Sequence, residues 1–399
     1  MRAVALSADL KSDLNAEISI AMVAGETSGD MLAGRLLSGL RPMLPDARLH
    51  GIGGPEMAEY GFISDYPMEK LAVRGLFEVL AHYREIKGIR DSLQKQLLRE
   101  RPAAFIGVDA PDFNLDLEIA LKSAGIPTLH YISPSIWAWR RNRIKKIAKA
   151  VSHMLVIFPF EEAIYRKAGI PVTYVGHPLA EIIPMDADQE GARTALGLDQ
   201  NQRVVAILPG SRMSELKYNA RVFVEAAVLL AKRDPKMRFV VPMAGATQRA
   251  YFEKLIDRPE LKNISLTILN GQSHTALAAA DAVLVASGTA TLEVALFKKP
   301  MVISYKMNRA SWQILRLMAY QPWIGLPNVM SREFLVPELL QDRATPQALA
   351  SALWAQISND QNRQRLRRRF IDLHHDLMRN TAAESAHAVM QLLAQGGRL

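Results

Sequence analysis

The chain alternates between two patterns. Apolar, β-branched runs such as "ISIAMVA" (18–24), "AAFIGV" (103–108), "PTLHYI" (127–132) and "HMLVIF" (153–158) are separated by stretches with helical spacing. Runs that are apolar at every position suit strands covered on both faces. Strands alternating with helices predict βαβ units and a parallel sheet. The rhythm continues to "VTYVGHPL", is broken by the polar "AEIIPMDADQEGAR", and resumes in "RVVAILP", "RFVVPM", "ISLTIL", "AVLVAS" and "PMVISY". From Pro346 the spacing is helical, rich in Arg and Gln, with no strand. The pattern predicts an α/β protein of two doubly wound parallel-sheet domains, 17–185 and 186–345, facing a cleft. A helical tail, 346–399, is expected to pack back on the N-terminal domain.

In open α/β sheets, ligands bind beyond the carboxyl ends of the strands. Four such ends carry small and polar residues: "GETSGD" (25–30), Asp109 after "AAFIGV", "GSR" (210–212) and "GTATLE" (288–293). In "LPGSRMSEL", Gly210 and Ser211 stand where free backbone N–H groups of a helix start face an anion, and Arg212 adds a two-pronged phosphate grip. The competing reading is a helix cap with a surface arginine. "ASGTATLE" repeats the design with Ser287, Gly288 and Thr289. Glu293, one turn in on the same face, can accept both hydroxyls of a ribose or simply stabilise the first turn. In "GVDAPDFNLD" two carboxylates flank Pro111. Asp109 leaves the strand end directly, and Asp112 opens the next helix, where a carboxylate favours the dipole. Asp109 is the candidate base and Glu26 its rival.

Composition narrows the classes. Of 399 residues, 49% are hydrophobic and 22% charged, which excludes a disordered chain. The absence of cysteine removes thiol chemistry and fits a reducing compartment. No run of about 18 apolar residues occurs, so no membrane-spanning helix is expected. The net charge of +9 is clumped in "WRRNRIKKIAK" and "RQRLRRRF". Such clusters suit nucleic acid, anionic lipid or phosphorylated substrates, or are solvated helix faces. Residues 68–90 read as a helix with a core-type stripe plus Met68, Leu71, Leu76 and Val79 beside basic residues. That arrangement fits a membrane interface, or burial on both sides. "GIGGPE" fails as a dinucleotide fingerprint because no helix starts smoothly through Pro55 in that register. Asp186 and Asp188 lie in the linker, so no metal site is expected. His374 and His375 read as surface residues.

Taken in order, "AGETSGD", "GIGGPEM", "DAPDFN", "HYISPSIWAW", "GHP", "LPGSR", "ASGTATLE", "YKM" and "LPN" make the chain resemble the lipid-A-disaccharide synthase family, inverting glycosyltransferases of the two-domain GT-B class with Rossmann-like halves. The resemblance implies transfer from UDP-2,3-diacylglucosamine to the 6-hydroxyl of 2,3-diacylglucosamine 1-phosphate, giving a β-1,6 disaccharide and UDP, with no cofactor and no metal. It makes Asp109 the general base, Arg212 a donor-diphosphate residue and Glu293 the ribose ligand, and it places Asn328 on the donor side. It further implies a cytoplasmic enzyme held peripherally at the inner face of the inner membrane on an anionic surface, with no nucleic-acid partner. A homodimer through the C-terminal segment is compatible. A UDP-sugar epimerase of the same architecture and a basic nucleic-acid-binding protein are the competing readings.

Overall fold

In the computed structural model, residues 18–71, 76–258, 264–318 and 320–398 are described, without the side chains of 76–83. The chain divides into two compact units, one made of residues up to Pro178 plus Arg379–Leu399, the other of Leu179–Met378. Among the described residues, the first contains seven strands: β1 Ser19–Ala24, β2 Arg48–Ile52, β3 Phe62–Ser64, β4 Ala104–Val108, β5 Thr128–Tyr131, β6 His153–Val156 and β7 Val172–Tyr174. All pair in parallel, in the order β3-β2-β1-β4-β5-β6-β7. The second contains six: β8 Val204–Leu208, β9 Arg238–Met243, β10 Leu266–Asn270, β11 Ala282–Ala286, β12 Met301–Tyr305 and β13 Glu338–Leu340. They are parallel too, in the order β10-β9-β8-β11-β12-β13. Both sheets are the doubly wound arrangement expected from the alternation.

The central strands β4, β8 and β11 are buried at every position, as runs without polar alternation require. In the second unit Val205, Ile207, Phe223, Phe239 and Leu284 belong to one core. In the first, Val23, Phe105, Leu93 and Leu117 lie in one cluster, and Leu115, Ile147 and Tyr165 in another.

The tail is three helices, Pro346–Ser358, Asp360–Leu377 and Thr381–Gln395, each opened by a capping side chain: Thr345, Asn359 and Asn380. The first packs on the helix Met213–Arg233 and the second on Ala290–Leu296, so both stay with the second unit. Only the last joins the first unit, against the helix Thr27–Leu40. The division therefore falls after Pro178 and Met378, not at 185 and 345. Burial also corrects the surface reading of His374. It is inaccessible, with Nε2 2.7 Å from the Ala180 carbonyl and Nδ1 2.6 Å from Lys298 Nζ.

Candidate functional site

The strand order reverses between β1 and β4 in one sheet and between β8 and β11 in the other. These reversals are the switch points at which doubly wound sheets bind ligands. All four polar motifs leave the strands that flank them.

In the second unit, the turns after β8 and β11 border a cavity of about 370 Å³. Gly210, Ser211, Arg212, Ser287, Gly288, Thr289 and Glu293 all line it, together with Glu215 and Ser273. Gly210 has φ +121°, and a Cβ there would collide with Glu215, so the turn needs glycine. The N–H groups expected to be free here are not. Glu215 Oε2 accepts from Ser211 N (3.0 Å) and Arg212 N (3.2 Å), a capping arrangement that occupies the helix start. The Arg212 side chain, 61% exposed, stays available, 3.8 Å from Glu215 Oε1. Glu293 lies 3.3 Å from His274 Nε2, and Phe297 packs edge-on against the His274 ring. Glu215 and His274 escaped sequence reasoning. The Arg-x-x-Glu spacing of 212–215 and the Gly-Gln-Ser-His turn after β10 were the available signals.

Asn328 does not line this cavity. It is fully buried: its Nδ2 donates to Val336 O and Glu338 Oε1 (both 2.9 Å), and its Oδ1 accepts from Val336 N. Glu338 in turn accepts from the N–H groups of Ile324 and Gly325. Asn328 is thus bound into the packing around β13, a correction to its placement among donor ligands.

In the first unit, Glu26 opens the helix Thr27–Leu40 as its N-cap, and Asp109 follows β4, the neighbour of β1. Asp109 and Ala110 both adopt left-handed backbone, φ +51° and +42°. Their corner is held by Asp109 N donating to Tyr131 O (2.9 Å) and by Asn114 Nδ2 donating to Asp109 O (2.8 Å). Asn114 is fully buried, one helical turn above Glu118, whose Oε1 lies 2.7 Å from His130 Nδ1. Burial pushes the Glu118 carboxyl up and His130 pulls it back. Gly107 makes room for this stack, since a Cβ there would strike Glu118. Asp112 is exposed in the first turn of the helix Pro111–Ser123 and pairs with Arg143.

Asp30 of "GETSGD" explains why that motif and "GIGGPEM" belong together. Its inaccessible carboxylate accepts from the N–H groups of Gly54 (2.8 Å), Glu56 (3.0 Å) and Met57 (3.2 Å). Pro55 does start a helix, Pro55–Ala58, as its first residue, where a missing N–H costs nothing. The segment 68–90 is not one helix: a 3₁₀ turn covers Met68–Lys70, and a helix runs Leu76–Glu100. Met68 is a core side chain and so does not face a membrane, and Leu71 is partly buried against the same cluster. The side chains of Leu76 and Val79 lie outside the described residues. Among those residues, no helix is long and apolar enough to cross a membrane, and no three His, Asp or Glu could hold a metal ion. Asp188 caps a helix through Gly191 N, and Asp186 pairs with Arg367.

A profile of the family described as lipid-A-disaccharide synthetase matches residues 20–390. The lipid-A-disaccharide synthase of Azoarcus sp. (strain BH72) is 52% identical over 375 residues, covering 94% of this chain and 96% of that protein. Among solved structures, MurG of Acinetobacter baumannii is similar with a TM-score of 0.55 at 15% identity, covering 95% of this chain and 99% of that one. A UDP-GlcNAc 2-epimerase from Neisseria meningitidis, bound to UDP-GlcNAc, gives 0.56 at 13% identity, covering 94% and 100%. At these identities the two structures share the fold alone.

Proposed function

The chain belongs to the lipid-A-disaccharide synthase family, and from that premise we propose how its residues divide the glycosyl transfer. The donor is UDP-2,3-diacylglucosamine and the acceptor 2,3-diacylglucosamine 1-phosphate. The acceptor 6-hydroxyl attacks the anomeric carbon from the face opposite UDP, so a β-1,6 bond forms as the bond to the diphosphate breaks. Binding at the inner face of the inner membrane supplies both lipids.

The observation that carries this reading is the cavity after β8 and β11, where Arg212 and Glu293 stand on two neighbouring turns. A planar guanidinium suits diphosphate oxygens, and its charge offsets the negative charge that develops on departing UDP. Glu293 accepts hydrogen bonds from the ribose hydroxyls. Because Glu215 already holds the N–H groups at 211 and 212, the diphosphate relies on the Arg212 side chain more than on that helix start. In the first unit, Asp109 takes the acceptor proton while the new bond forms; Glu26 is the alternative base at the adjacent strand end.

The test is turnover with both lipids alongside calorimetric UDP binding. Asp109→Asn is expected to lose about 10²–10⁴ in rate while keeping UDP affinity, the usual span for a lost general base. Arg212→Ala should weaken UDP binding, a charged hydrogen bond typically contributing about 1.5–3 kcal/mol. Normal turnover in Asp109→Asn with none in Glu26→Gln would transfer the base to Glu26. Unchanged UDP affinity in Arg212→Ala would remove the donor site from this cavity.

A further inference from the structure

The second unit has a further cavity, of about 460 Å³, at the other end of its strands. Ala280 and Asp281 lead into β11, and Lys298, Lys299 and Pro300 lead into β12. This cavity therefore borders the amino ends of parallel strands, whereas the donor turns leave carboxyl ends. Its other walls come from the segment between Met185 and Gln189 and from the opening turns of the helix Asp360–Leu377, where the basic "RQRLRRRF" supplies Arg363 and Arg367. No step of the glycosyl transfer uses this end of the sheet.

The cations here are of two kinds. Arg363 and Arg367 pair with Asp360 and Asp186, and both carboxylates are exposed, so each pair is weak. Lys298 and Lys299 are partly buried. Lys299 Nζ donates to Ala278 O at 2.9 Å, and Lys298 Nζ donates to Pro184 O at 3.3 Å, beside His374 Nδ1. Among the described residues, neither lysine has a carboxylate within ion-pair distance. Asp281, whose charge reaches Lys299, is already held by Arg193 (2.8 Å), Val204 N (2.8 Å) and Gln189 Nε2 (3.3 Å). Burial accordingly pushes both ammonium groups down from 10.5 to about 8. The backbone adds a second observation. Lys298, with φ +57°, closes the helix Ala290–Leu296: its N–H donates to Ala295 O and that of Lys299 to Val294 O. Glycine is usual at the left-handed position of this closure, and here it is the first of two consecutive lysines on one cavity.

We propose that this cavity binds a soluble phosphate or diphosphate compound, with Lys298 and Lys299 on its oxygens and Arg363 and Arg367 closing on the same group. Two desolvated ammonium groups without a counter-ion favour an anion over a neutral ligand, and the guanidiniums offer paired donors that match phosphate oxygens. The volume admits a diphosphate, or a phosphate with a small organic body. The site stands independently of the donor reading, because the two cavities share no lining residue.

Inorganic pyrophosphate is the probe, and Arg212→Ala the background, so that the donor cavity contributes little binding of its own. Calorimetry should show pyrophosphate bound in that background. Adding Lys298→Gln and Lys299→Gln together should weaken it roughly ten-fold or more, while UDP binding with Arg212 intact is unchanged by the same pair. If the lysine variant fails to fold, Arg363→Gln with Arg367→Gln, at more accessible positions, should weaken pyrophosphate several-fold. A chemical readout needs no variant: an amine reagent at about pH 8 labels the deprotonated lysine. Pyrophosphate holds the ammonium form, so it should lower labelling at 298 and 299, read by peptide mass spectrometry. Equal protection by sodium chloride at matched ionic strength overturns the proposal, since screening needs no cavity. So does pyrophosphate binding that is absent in the Arg212→Ala background or unaltered in both pairs of variants. Protection by phosphatidylglycerol vesicles where pyrophosphate gives none would assign the lysines to a lipid surface, which also overturns it.

Discussion

Asp109 and Ala110 are consecutive non-glycine residues in left-handed backbone, a conformation that costs of order 1–3 kcal/mol for each. The contacts that hold them there set where the Asp109 carboxylate points. Asn114 supplies one through its amide on the Asp109 carbonyl, with longer contacts to Val23 O (3.4 Å) and Val108 O (3.5 Å). Asn114→Ala should therefore lower kcat by as much as about 10²-fold, the scale at which a small misplacement of a reacting group is felt, with KM little changed. In an Asp109→Asn background the same change should add almost nothing, because both act through one carboxylate. Steady-state kinetics of the two single variants and the double variant decide; additive losses would place Asn114 in another role. The positions of Asp109, Arg212 and Glu293, after β4, β8 and β11, were legible because each follows an apolar strand run directly or within the first turn of the next helix. Asn114 was not, since a buried amide in the first turn of a helix reads in sequence as an ordinary polar residue. Asn328 erred in the opposite direction: its motif was visible, but its burial beside Glu338 was not.

Strands that are apolar throughout were found from their sequence, whereas β2, β3 and β13 were not. β2 is interrupted by His50, inaccessible yet bonded to Ser19 Oγ at 3.0 Å, and β3 and β13 have three residues each. A partnered polar residue weakens the pattern that reveals a strand, although β5 was found despite its buried His130. The helix Pro159–Lys167 carries a similar buried polar group with a pH signature. Glu161 accepts from Phe158 N at 3.1 Å, and burial lifts its carboxyl from an ordinary 4.5 to about 8. Between those values the folded state holds a proton that the unfolded state has released. The contribution to stability is thus full below pH 4.5 and is lost as pH rises through 8. Glu161→Gln removes that dependence. Its thermal midpoint, measured against the unaltered protein, should be similar near pH 4, higher at pH 6 and higher still at pH 9.

The units are joined where the chain passes from Pro178 to Leu179 and returns from Met378 to Arg379. The second is continuous in sequence; the first needs the last 21 residues, whose helix buries Val389, Leu392 and Leu393 and whose Arg398 donates to Pro102 O and Gly125 O. Ending the chain at Met378 should lower the melting temperature of the first unit and abolish turnover, while UDP binding in the second survives. Calorimetry of the shortened protein, with and without UDP, would show one transition displaced and the other not. Equal loss in both would mean that the units melt as one. The same connectivity orders events during synthesis. When residue 178 is made, the helix Thr27–Leu40 still lacks the partner that will cover it, and the 200 residues of the second unit must be translated first, roughly 10–40 s at 5–20 residues per second. For that interval the side of this helix that carries Gly39, which will lie against the Ala382 backbone, has no partner. The half that carries the proposed base is thus the one to be shielded by chaperones at the ribosome.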